Sequence, residues 1–139
     1  MKIGFIGLGI MGAPMAGHLL AAGHELFVNT HGVPPKAITD AGAKVCTTGT
    51  AVATNADVII IMVPDTPDVE KVLFGKDGVA SGLSKGKIVV DMSSISPIAT
   101  KDFAARTSGT RGVVRSMHAC SPARMPGDSD GSASVVIGA

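Results

Sequence analysis

The sequence predicts an α/β protein with a doubly wound, mostly parallel sheet, and three observations carry that expectation. Strand-like and helix-like segments alternate from the N-terminus to about residue 105. Asp57-Val-Ile-Ile-Ile-Met-Val63 and Lys87-Ile-Val-Val-Asp91 are continuous apolar runs, the pattern of parallel strands buried on both faces. The β-rich run Lys2 to Ile6 breaks into Gly7-x-Gly9-x-x-Gly12 and leads into a helix-like segment, Ala13 to Ala22, which is how a Rossmann-type dinucleotide-binding βαβ unit begins.

Each glycine of that loop has a physical task. Gly7 permits the tight turn out of the strand, Gly9 lets the backbone approach a pyrophosphate, and Gly12 lets helix and strand pack closely. The ligand's charge then meets free amide N–H groups at a helix N-terminus. The bare pattern is a weak sign in a chain with 18 glycines, and its context strengthens it. Met11, Met15 and Leu19 recur at i, i+4, i+8 and give the helix one apolar face, so the two methionines read as core packing; Gly23 supplies the stop.

The remaining elements follow in order. Glu25 to Asn29 reads as a second strand, Pro35 to Ala41 as a short helix, Lys44 to Cys46 as a brief third strand, and Thr50 to Asn55 as another short helix before the fourth strand. Thr66-Pro67-Asp68 predicts a helix start, with Thr66 as N-cap and Pro67 at the first helical position, and that helix stops at Gly75. Lys76 to Gly86 reads as turns, Lys87 to Asp91 as the fifth strand, and Ser96-Pro97 as the start of a helix to about Ala105. A sixth strand would have to be built from Gly112-Val-Val-Arg-Ser116, and a loop-rich or displaced segment is expected there instead; Val135 to Ile137 retains an apolar run able to add a strand.

In such a sheet, ligands bind beyond the carboxyl ends of the strands, near the switch point. The loops that matter are Gly7-Leu8-Gly9-Ile10-Met11-Gly12, the turn from Asn29, and the strand ends at Met62-Val63-Pro64 and Ser93-Ser94. An acidic residue that binds the adenosine ribose is expected about twenty residues after the glycine motif. Asn29, Thr30 and His31 stand there instead. No carboxylate repels a 2′-phosphate, so NADP is allowed and slightly favoured over NAD, although no arginine grips it.

A chain of 139 residues is one domain by size, with a net charge of +1 that makes no global case for nucleic acid or an anionic membrane. The glycines in Ile3 to Met11 argue against a signal peptide. Cys46 and Cys120 are too few for a disulfide framework, which makes a cytoplasmic setting the expectation. Arg106, Arg111, Arg115, Arg124 and His118 form a basic stretch without aromatic interleaving, read as a loop rather than a nucleic-acid patch. His118-x-Cys120 lacks a second ligand pair, so no metal site is expected. Asp65, Asp68 and Glu70 suit a helix dipole better than acid/base chemistry, and Ser93 and Ser94 lack a histidine relay, which leaves a hydrogen-bonding role toward cofactor or substrate.

The string Gly4-Phe-Ile-Gly-Leu-Gly-Ile-Met-Gly-Ala-Pro-Met-Ala16 resembles the N-terminal signature of the β-hydroxyacid dehydrogenase (3-hydroxyisobutyrate dehydrogenase-like) family. Ile61-Met-Val-Pro-Asp-Thr-Pro67, Val72-Leu-Phe-Gly75 and Asp91-Met-Ser-Ser-Ile-Ser-Pro97 look most like its tartronate semialdehyde (2-hydroxy-3-oxopropionate) reductase branch. His18 departs from the family's asparagine. The resemblance implies a Rossmann domain with cofactor on Gly7 to Met15, Met62-Val63-Pro64 and Ser93/Ser94.

Near Arg106 the resemblance lapses. The family's substrate loop, Asp-Ala-Pro-Val-Ser-Gly-Gly, is replaced by Ser116-Met-His-Ala-Cys-Ser-Pro122, and family character returns at Asp130 to Ala139. A local frameshift over residues 106–128 accounts for an interruption with both flanks intact, and the genetic code permits it without requiring it. Ser94 and Ser121 are the substrate candidates. The resemblance also implies a C-terminal helical domain carrying the catalytic lysine, expected to lie outside these 139 residues, so no catalytic residue is assigned within the chain.

The expectation is an NAD(P)-dependent reductase of a small oxo-acid, tartronate semialdehyde to glycerate, with this chain as its cofactor domain, inactive alone and self-associating through bare apolar surface. The alternatives are 3-hydroxyisobutyrate dehydrogenase, a glyoxylate or succinic semialdehyde reductase, or a non-catalytic dinucleotide-binding module or damaged gene product.

Overall fold

The computed structural model describes residues 1–93, 97–108, 113–117 and 135–137. Seven strands, β1 (Lys2–Ile6), β2 (Glu25–Asn29), β3 (Lys44–Val45), β4 (Val58–Ile61), β5 (Ile88–Asp91), β6 (Val113–Met117) and β7 (Val135–Ile137), form one sheet in the order β3-β2-β1-β4-β5-β6-β7. The first six run parallel and β7 pairs antiparallel with β6. The chain winds outward from β1 in both directions, so the switch point falls between β1 and β4.

Two-residue periodicity divides the core into two layers. Ile3, Phe5, Leu26 and Val28 point to one face, where they meet Ala16 of α1 (Gly12–Ala21) and Ile38 of α2 (Lys36–Asp40). Ile6, Phe27, Ile59, Ile61 and Val89 point to the other, against Val52 and Ala53 of α3 (Gly49–Asn55), Val69 and Leu73 of α4 (Thr66–Phe74), Val79 of α5 (Val79–Gly82) and Phe103 of α6 (Pro97–Ser108). The expected burial of β4 and β5 on both faces is only partial: Ile59, Ile61 and Val89 are buried beneath α3 to α6, whereas Val58, Ile60, Ile88 and Val90 on the other face are half-buried. The α1 helix closes with paired bonds from Gly23 N–H to the Leu20 carbonyl and from His24 N–H to the Leu19 carbonyl, at 3.0 and 3.2 Å.

Four expectations need correction. Asp65, not Thr66, is the N-cap of α4: its carboxylate accepts from Thr66 N–H at 2.7 Å, and Pro67 then sits one position further into the helix. The stretch read as turns contains α5, whose Val79 is fully buried and whose entry is held by Thr50, the hydroxyl donating to the Gly78 carbonyl at 2.9 Å. Four residues show no helical period of their own, so only packing on α3 reveals them. The last helix continues to Ser108.

The fourth correction is β6, which stands in the sheet where a displaced segment was expected. It pairs with β5 from Ile88↔Val113 to Asp91↔Ser116. A backbone ladder depends on peptide groups rather than side chains, so an open parallel edge recruits even a strand poor in β-formers. Residues 94–96, 109–112 and 118–134 lie outside the described residues, and with them the Ser96 cap, Ser94, Ser121, His118-x-Cys120 and most of the suspected frameshift. Arg106 is engaged with α4, while the rest of the basic stretch has no described side chains. Its guanidinium lies 3.9 Å from the Phe74 ring centroid and pairs with Glu70 at 2.9 Å, clasping α6 to α4.

Candidate functional site

The carboxyl ends of β1, β2 and β4 open into a cleft of about 1050 Å³. It is at the upper end of the roughly 300–1,000 Å³ usual for small-molecule sites, and so suits an extended ligand. Its floor is the glycine loop, which must be built from glycines for three different reasons. Gly7 has a φ of +95°, and a Cβ there would lie 2.0 Å from the Met62 carbonyl oxygen. A Cβ on Gly12 would lie 1.9 Å from the Gly7 carbonyl oxygen, so α1 could not sit this close to β1. Gly9 differs: among the described residues no atom beyond its chain neighbours comes within 4 Å of the position its Cβ would take. Nothing in the protein's own packing demands a glycine there, and the backbone stands bare toward the cleft, the arrangement a phosphate-binding loop requires.

The helix that follows is prepared for an anion. Its N-terminus at Met11 has no side-chain cap and no acid in its first turn, whereas α3 is capped by the Thr48 hydroxyl and α4 by Asp65. Uncapped amides at the positive end of a ten-residue helix are an anion-binding device.

Of the residues expected to bind cofactor, Gly7, Leu8, Gly9, Ile10, Met11 and Gly12, then Asn29, Thr30 and His31, then Met62, Val63 and Pro64, all line this one cleft. Two of them also hold its shape. The Thr30 hydroxyl accepts from Leu8 N–H at 3.2 Å, and the Asn29 amide donates to the Cys46 carbonyl at 2.8 Å, tying β2 to the strand beside it. Their side chains brace the glycine loop from the β2 side.

Ser93 is placed differently from the expectation of a cofactor contact. It is only 1% exposed, and its Oγ accepts from Val63 N–H at 3.0 Å while its own N–H donates to Asp91 Oδ1 at 2.9 Å. The hydroxyl therefore holds the Met62-Val63-Pro64 wall from behind. Ser94, its partner in that expectation, lies outside the described residues, as does Ser121.

A second wall escaped the sequence reading. The exposed Asp68 and Lys71 and the half-buried Val72 lie at i, i+3 and i+4 on α4, beside the buried Val69 and Leu73. That spacing marks the face, but only the fold shows that it looks into the cleft. Lys76, Asp77 and Gly78 close the end: Thr50 N–H donates to the Asp77 carbonyl at 3.0 Å, bringing this turn against the start of α3, where Thr47, Thr48 and Gly49 complete the lining. Cys46 stays outside the cleft, and burial raises its thiol pKa, keeping it protonated and a poor nucleophile. Among the described residues no group of three or more His, Cys, Asp or Glu side chains is placed to hold a metal, and no helix is long and apolar enough to cross a membrane.

Residues 2–114 match the family model for the NAD-binding domain of 6-phosphogluconate dehydrogenase. The chain belongs to this family. By that match it is an NAD-binding domain. Over 108 residues it is 54% identical to 2-hydroxy-3-oxopropionate reductase of Escherichia coli, covering 78% of this chain and 37% of that protein. Over 104 residues it is 42% identical to 3-sulfolactaldehyde reductase of the same organism, covering 74% and 35%. The chain thus spans little more than a third of the curated relatives it matches. Among solved structures, a 3-hydroxyisobutyrate dehydrogenase from Salmonella typhimurium superposes with a TM-score of 0.75 at 26% identity, over 87% of this chain and 42% of that one.

Proposed function

We propose that the protein is an NAD(P)-dependent reductase of a small oxo-acid, with tartronate semialdehyde reduced to glycerate, and that residues 1–139 serve as its cofactor domain. The observation that carries the cofactor part is the bare Gly9 backbone facing the cleft beside the uncapped start of α1. The substrate part rests on the 54% identity to 2-hydroxy-3-oxopropionate reductase. When bound, the nicotinamide supplies the hydride. In this chain Gly7 to Gly12 would hold the pyrophosphate, and the Met62-Val63-Pro64 segment braced by Ser93 would form a wall for the rest of the dinucleotide. With no carboxylate among Asn29, Thr30 and His31, NADPH is accepted at the ribose.

Reduction of an aldehyde also needs a proton for the developing alkoxide. The resemblance puts that donor, a lysine, in a helical domain outside residues 1–139, so residues 1–139 tested by themselves should bind cofactor and turn over slowly. The test is consumption of NADPH and NADH with tartronate semialdehyde, glyoxylate and succinic semialdehyde, by the 139-residue chain and by a version extended to the length of its relatives with the substrate loop restored. Rapid turnover of tartronate semialdehyde by the extended chain alone supports the proposal; turnover of another substrate reassigns it. Tight dinucleotide binding with no turnover by either chain would favour a non-catalytic binding module.

A further inference from the structure

We propose that Lys71 and Lys76 discriminate NADPH from NADH by receiving the 2′-phosphate from the wall opposite the β2 loop. This rests on the reading that the cleft binds a dinucleotide. The pyrophosphate belongs on the glycine loop, and the adenosine half then runs toward the end of β2, where Asn29, Thr30 and His31 line the cleft. A 2′-phosphate there needs a cation, because charge-assisted bonds give a phosphate most of its hold. The β2 loop has no arginine or lysine from Asn29 to Pro35, and two of its side chains are already engaged: Thr30 accepts from Leu8 N–H and Asn29 donates to the Cys46 carbonyl.

The cations come from across the cleft. Lys71 on the outer side of α4 and Lys76 on the turn after it both line the same space, both are exposed, and neither makes an ion pair among the described residues. The turn bearing Lys76 is anchored to α3 through Thr50, and α3 begins just after the strand to which Asn29 is tied, so Lys76 is held toward the β2 end. Asp68 and Asp77 share this wall. They oppose an added dianion, so without the two ammonium groups the wall would reject a 2′-phosphate. The lysines thus turn a wall that would repel the 2′-phosphate into one that receives it.

The experiment titrates Lys71→Met, Lys76→Met and the double variant with 2′,5′-ADP, 5′-AMP, NADPH and NADH by calorimetry. Expected is a loss of about tenfold or more in affinity for 2′,5′-ADP and NADPH in the double variant, with 5′-AMP and NADH changed less than about twofold and the salt dependence of NADPH binding reduced. Equal losses for all four ligands, or none, overturn the inference while leaving the dinucleotide reading standing. Failure of the parent chain to bind any of the four overturns both. Thermal unfolding of each variant confirms the fold, and Lys71→Arg with Lys76→Arg should restore 2′-phosphate selectivity.

Discussion

At the residue scale, Gly9 separates binding from folding most cleanly. No atom of the described residues crowds its Cβ position, so Gly9→Val should fold with near-parental stability while its branched side chain occupies the phosphate's place. A loss of roughly 100-fold or more in NAD(P)H affinity is expected, about 2.7 kcal/mol; unchanged affinity in a folded variant would refute the cofactor-loop assignment. Thr30→Asp keeps an acceptor for Leu8 N–H and adds negative charge at the ribose. It should move preference toward NADH by roughly 1–2 kcal/mol, read from the ratio of dissociation constants. Ser93→Ala leaves Val63 N–H without its buried acceptor, at a cost of about 1–3 kcal/mol in urea unfolding, and loosens the cleft wall. The glycine positions were legible because the loop pattern is contiguous in sequence, although the contact that forbids a side chain at Gly7 comes from Met62. The direction of the Ser93 hydroxyl was not, since it depends on how the ends of β4 and β5 lie side by side.

At the element scale, the ends of α3 show how distant residues finish a helix. Thr48 caps its start, and at its end the Lys87 ammonium, just before β5, donates to the carbonyls of Ala53, Thr54 and Ala56. A cation at a helix C-terminus satisfies carbonyls that have no partner in the helix and meets the negative end of its dipole. Lys87→Met should therefore lower stability by about 1–2 kcal/mol in urea unfolding, far more than an exposed lysine would. No sequence pattern reveals this contact, because 30-odd positions separate its partners. The short β3 is held partly by Lys44, which bonds Glu25 on β2 and lowers its carboxyl pKa through that hydrogen bond and the ammonium's charge. The sign follows from the depressed value: the small stabilisation is present above the ordinary 4.5 and is lost as pH falls through the lowered one. Glu25→Gln should thus melt slightly below the parent at pH 7 and level with it at pH 2, and a difference that persists in acid would contradict the pairing.

At the scale of the whole molecule, the cleft joins elements that only the sheet brings together, so ligand and fold stabilise each other. At 100 times its dissociation constant NADPH should add about 2.7 kcal/mol of stability. For a chain of this size that raises Tm by roughly 5–11 °C. Gly9→Val should abolish the shift, which ties it to the glycine loop rather than to nonspecific binding.

The alternation of strand and helix, the apolar runs of β4 and β5 and the place of the glycine loop were determined by sequence alone, since periodicity, apolar runs and a left-handed turn are set between near neighbours. Tertiary structure decided the rest: the recruitment of Val113–Met117 as a sixth strand, the hidden helix Val79–Gly82, Ser93 behind the wall, and Lys71 and Lys76 across the cleft. Each depends on backbone edges and packed faces from distant parts of the chain, whose partners become neighbours only when the sheet is assembled.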